Sequence, residues 1–141
     1  MKKLLYIFIL VIGFQFSGKS QNCDSLVAIC ESYLNLKDGS LFVSDGQLYQ
    51  AFLTEEAAEF ETTLYGGSTY RVATSAGIKD NFVIFSIIDQ EGNVLFTNEK
   101  YKNAKYWDFK VESTINCRVE LKLDLERKSS GCVTMLIGFK K

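Results

Sequence analysis

Histidine and proline are both absent from this chain. Without imidazole there is no Ser-His-Asp or Cys-His nucleophile, no histidine general base and no histidine metal ligand, so most common hydrolase chemistry is excluded. Without proline, chain reversals fall to Gly, Asn and Asp. The four cysteines contain no CxxC pair, which removes the usual spacing of a zinc site. Apart from the first twenty positions there is no long apolar run, and no dense basic cluster. What is present is ordinary: 47% hydrophobic and 23% charged residues in 141 positions, enough to bury the core of one domain.

Residues 1–20 read as an export signal. Lys2 and Lys3 give a basic start, Leu4 to Phe16 is almost continuously apolar, and Gly18 and Ser20 place small side chains where a signal peptidase inspects them. The apolar run is shorter than the roughly 20 residues that span a bilayer. Cleavage before Gln21 leaves a single domain, 21–141, with no transmembrane segment. Lipidation of Cys23 is the rival reading, disfavoured because Asn22 is not the small neighbour such processing prefers. Loss of Lys2, Lys3 and Lys19 leaves an acidic chain, with thirteen basic residues against seventeen acidic ones. Nucleic acid is therefore not an expected partner.

The segment 24–37 places Leu26, Ile29, Cys30, Tyr33 and Leu34 on one helical stripe, with Asn22 or Asp24 to cap it and Gly39 to end it. In such a helix Cys23 and Cys30 are about 10.5 Å apart along the axis. Bridged Cα atoms lie within about 7 Å, so these two cannot pair. Cys117 and Cys132 begin successive strands, and a hairpin around Arg127–Gly131 would hold them at opposite ends. The expectation is one staple from the helix to the sheet with the other cysteines buried; the alternative is four unbonded thiols.

From residue 41 onward the chain reads as strand after strand. Asp45-Gly46 predicts a hairpin within 41–53, Gly66-Gly67 a second turn, and 89–93 a third. Phe82 to Ile88 is apolar on both alternations, the mark of a strand covered on both faces. Trp107, Phe109 and Val111, then Val119, Leu121, Leu123 and Leu125, alternate with charged residues, as half-buried strands do. Val133, Met135, Ile137 and Phe139 complete the series. About eight strands and one N-terminal helix predict a mainly β fold, an antiparallel sandwich or jelly-roll-like barrel.

The stretches TYRVATSAG, FVIFSIIDQEGNVLF, VELKLDL and SGCVTMLIGF, between Tyr70 and Lys140, resemble the small sandwich domains of exported bacterial proteins, among them the pre-peptidase C-terminal domain. The resemblance implies a non-catalytic module.

Three groups of residues are candidates for function. Glu55, Glu56, Glu59 and Glu61 could supply acid and base to a carboxylate-dependent hydrolase, or simply form a solvated strand face. Asp89, Glu91 and Asn93 imitate part of a calcium loop, but are too few for a coordination sphere and read as a polar turn. Tyr101, Lys102, Lys105 and Tyr106 offer aromatic contact area beside lysine stems and are the candidate binding residues. The sequence thus predicts an exported binding module for a protein or glycan, in the periplasm or outside the cell, with no catalytic residues, metal or cofactor. A purely structural envelope component is the alternative.

Overall fold

The computed structural model describes residues 23–39, 41–77 and 82–140. The expected signal peptide and cleavage point lie outside them. The described residues begin with helix α1 (Asp24–Leu34), followed by strands β1 (Val43–Ser44), β2 (Tyr49–Leu53), β3 (Ala58–Leu64), β4 (Ser68–Ser75), β5 (Val83–Asp89) and β6 (Val94–Thr97). A 3₁₀ turn at Asn98–Tyr101 leads to β7 (Tyr106–Val111), β8 (Ile115–Leu123) and β9 (Gly131–Lys140). All pairings are antiparallel. One sheet has the order β9-β4-β7, with β1 and β2 both lying along the other side of β9; the second has the order β3-β8-β5-β6. The mainly β sandwich with one leading helix is the architecture the periodicity implied.

The two sheets face each other across a core that includes Phe85, Val72, Leu121, Val133, Met135 and Ile137, all essentially inaccessible to water. Alternation puts Val119, Leu121 and Leu123 inward from β8 while Glu120 and Lys122 remain in the wet layer. Phe85 of β5 is central to the core, as expected. Strand β5 is buried on both alternations from Val83 to Ile88, as expected, and β4 and β9 are covered on both faces as well. Helix α1 buries Leu26, Cys30 and Leu34 on their outer side, where Phe42, Ala73 and Leu136 complete a second small core. Gly138 makes this approach possible, since a Cβ there would lie 2.9 Å from Leu34 and Phe42 side-chain atoms.

The staple is Cys23–Cys132, and Cys30 and Cys117 are buried free thiols. Cys23 occupies the N-cap position, so the helix start is fixed by a covalent tie, and the helix ends at Leu34, three residues before the expected 37. Asn35 leaves helical geometry there and bridges to Leu41.

Three further expectations are corrected. Asp45-Gly46 does not close a hairpin: β1 and β2 run in the same direction along β9, and 45–48 form a bulge between them. The Asp45 carboxylate accepts from the Gln47 N–H and the Tyr49 hydroxyl, and Gly46 takes a φ of 83°, which accommodates the bulge locally. Cys117 is the third residue of its strand, and β8 and β9 belong to different sheets, so 124–130 cross the sandwich edge instead of forming a hairpin. Leu125 lies beyond β8, which ends at Leu123, because Asp124 turns the chain by accepting from the Glu126 N–H.

Candidate functional site

Strands β6 and β7 end their respective sheets on the same side of the sandwich, so the core approaches the surface between them. Trp107, Phe109 and Val111 point inward from β7. Phe96 of β6 meets Phe85, Trp107 and Phe109 with ring centroids 5.7, 5.2 and 4.9 Å away. The 3₁₀ turn lays Tyr101 over this group, nearly parallel to Phe96 at 5.7 Å and 4.3 Å from Trp107. Tyr101 is nevertheless 49% exposed, and Val94 and Leu95 beside it are exposed too. Next to the rings is an open cleft of about 480 Å³, lined by Leu64, Ile87, Leu95, Trp107 and Val111 among others.

The turn that carries Tyr101 is held from below. Asn98 is fully buried; its side-chain amide donates to the carbonyls of Val83 and Ala104, and its oxygen accepts from the Phe85 N–H. Lys102 follows in the left-handed region at φ 54°, and Asn103, at φ 52°, donates to the Asp124 carboxylate. An aromatic ring presented on a braced turn loses little freedom on contact.

Of the four candidate binding residues, Tyr101 and Lys102 sit on this turn, whereas Tyr106 faces the other way. Its ring is half-buried, 5.9 Å from Tyr33 of α1 and under the guanidinium of Arg71 at 4.6 Å. Arg71 is the feature that sequence reasoning missed. It is 3% exposed, grips Asp108 through two bonds of 2.6 and 2.9 Å, donates to the Tyr33 carbonyl, and stacks on Phe42 at 4.2 Å. The Asp108 hydrogen bonds raise its pKa above the ordinary arginine value, against the opposing effect of burial. Its job is to bind α1, β4 and β7 together. The signal was the facing of Arg71 by Asp108 across two strands, visible only once the β4–β7 register is known. Lys105, by contrast, borders the outer rim of β7 beside Tyr106 and Trp107.

The carboxylates are spread along one face instead of converging. Glu59 and Glu61 project from β3, with Glu59 3.6 Å from Arg118, and Glu55 and Glu56 lie in the loop before β3. Near one end of the same sheet, Glu61, Asp89, Asn116 and Arg118 line an open polar groove of about 500 Å³. Asp89 is held below the ordinary carboxylate pKa by Asn93, whose side chain and backbone both donate to it, and by the Glu91 N–H. That geometry is a polar turn closing the β5–β6 hairpin. Among the described residues no group of three or more metal-ligating side chains is placed to hold an ion.

No family model matches the chain. No curated protein matches it. Among solved structures it is similar to PliG of Aeromonas hydrophila, described as a periplasmic lysozyme inhibitor of g-type lysozyme, with a TM-score of 0.52 at 10% identity over 75% of this chain and 92% of that one. At this identity the likeness is one of fold.

Proposed function

We propose that the protein is an exported, non-catalytic module that binds a protein partner at the cell envelope or outside the cell, using the β6–β7 side of the sandwich. The observation that carries the reading is the braced, half-exposed Tyr101 stacked on Phe96 and Trp107, two rings that also line an apolar cleft opening onto the core. Large exposed apolar features of this kind mark interaction surfaces. Tyr101 is stacked on Phe96 and Trp107 yet half exposed, and a protein partner is favoured over a glycan by the fold likeness to a lysozyme inhibitor. The Cys23–Cys132 bond fits an oxidising compartment. The likeness to an inhibitor supports the non-catalytic class and makes a lysozyme the first target to try.

The test is titration of the mature protein into purified g-type lysozyme, following both binding and lysis of a cell-wall suspension, alongside cross-linking capture from an envelope extract and a glycan array. Saturable inhibition supports a lysozyme target. Saturable binding to another envelope protein supports the module and removes lysozyme. A glycan ligand with no protein partner overturns the reading.

A further inference from the structure

We infer that the partner engages as an extended acidic segment that adds a strand to the edge of β7 that no described strand occupies, and inserts an apolar side chain into the cleft beneath it. This rests on the protein-binding reading above and specifies its chemistry. The carbonyls of Lys105 and Val111 accept from Thr74 and Gly67 on the β4 side. Backbone groups alternate between the two edges of an antiparallel strand, so the N–H and C=O groups of Tyr106, Asp108 and Lys110 are directed at the open edge. They form a six-residue template with regular pairing to β4 behind it.

The other sheet edges are poorer templates. The β1–β2 edge is broken by the bulge at 45–48, β6 has four residues and a register shift beside it, and β3 carries Glu59 and Glu61. At β7 the chemistry of an added strand is dictated face by face. Its inward side chains fall next to Trp107, Phe109 and Val111, at the mouth of the cleft, and must be apolar. Its outward side chains fall beside Tyr106, Asp108 and Lys110. The Asp108 carboxylate is already gripped by Arg71, so within the strand the charge that remains to select a partner on this face is Lys110, with Lys105 just before the strand and Glu112 just beyond it. Acidic side chains opposite the strand itself complement Lys110.

The test uses the isotope-labelled mature protein and two ten-residue peptides, one alternating Phe with Glu and one alternating Phe with Lys. The Phe/Glu peptide should shift and protect from exchange the amides of Tyr106, Asp108 and Lys110, and the Phe/Lys peptide should bind at least about tenfold more weakly. Lys110→Pro removes one edge N–H without touching the β4 ladder and should abolish binding; Lys110→Gln keeps that N–H and should lose only the preference for Glu. Leu95→Glu, at an exposed position on the cleft mouth, should weaken both peptides. Shifts confined to β3, equal affinity for the two peptides, or undiminished binding by Lys110→Pro would overturn the proposal. A captured envelope partner that binds Lys110→Pro and Leu95→Glu normally would remove strand addition while leaving partner binding intact. Peptide binding at β7 with no saturable envelope protein would leave the edge assignment intact and remove the proposed function.

Discussion

Replacing Cys23 and Cys132 together by Ala tests how the helix and the sandwich depend on each other. The bond joins residues 109 apart in sequence. Chain-entropy arithmetic for a loop of that length gives about 4.8 kcal/mol, and measured bonds more often deliver 2–4. The loss should fall near the middle of that measured range, about 3 kcal/mol, because α1 keeps two other holds: the seat over Gly138 and the Arg71 bond to the Tyr33 carbonyl. With a urea dependence of about 1.5 kcal/mol per M, the unfolding midpoint should drop by about 2 M. Trp107 is the single tryptophan and is packed against the core, so its fluorescence reports the transition. Alanine is preferable to a reductant, since Cys30 and Cys117 provide thiols that can exchange once the chain opens. A loss below about 1 kcal/mol would refute the reasoning, because the bond would then constrain neither the unfolded chain nor the helix to a useful degree.

Truncating the fully buried Phe85 to Ala should cost about 3–5 kcal/mol in chemical denaturation, while Glu91→Ala in the exposed β5–β6 turn should cost little; equal losses would contradict the core assignment. Arg71→Lys should destabilise by about 2 kcal/mol or more, since an ammonium cannot reproduce the two-bond grip on Asp108 or the stacking on Phe42, and an unchanged melting temperature would show that the grip is idle. Burial, with a smaller effect from Glu31, pushes the Cys30 thiol up to about 12, and burial followed by the Asp45 hydrogen bond pushes Tyr49 up to about 12. Both values are raised in the folded state, so their contribution is complete below the unfolded pKa values and is lost as pH rises toward 12. Thermal melts from pH 8 to 12 should show that decline, and thiol titration at pH 8 should modify no cysteine in the native protein and two after unfolding. Neutralising Glu59 and Glu61 should leave partner binding intact, whereas Tyr101→Ala should weaken it, as competition binding with each variant will show.

Much of the fold was legible because burial is written with a period of two. Glu59 and Glu61 against Ala58 and Phe60, and Glu120 and Lys122 against Val119, Leu121 and Leu123, declare their faces without reference to anything distant. Helix geometry made it legible that Cys23 does not pair with Cys30 and that a staple would run from helix to sheet, but which cysteines form it was not legible, because the separation of Cys117 from Cys132 depends on which sheet each strand joins. Sheet membership was not, because β8 and β9 read identically whether paired with each other or placed in opposite sheets. Nor was the fate of Tyr106. Alternation shows that it opposes Trp107, but the helix that covers its face comes from residues more than seventy positions away. Arg71 follows the same logic: a charged residue in a strand signals a wet face unless a remote element, here α1, closes over it.

On the proposed reading, partners dock on the β6–β7 side of the sandwich. Hydrogen exchange of the mature protein, alone and saturated with its captured envelope partner, tests it most directly. New protection should be concentrated in residues 94–111, strongest at Tyr106, Asp108 and Lys110, with the β3–β8 face unchanged. Protection centred on 59–63 and 116–120 would contradict it and move the site to the carboxylate-bearing face.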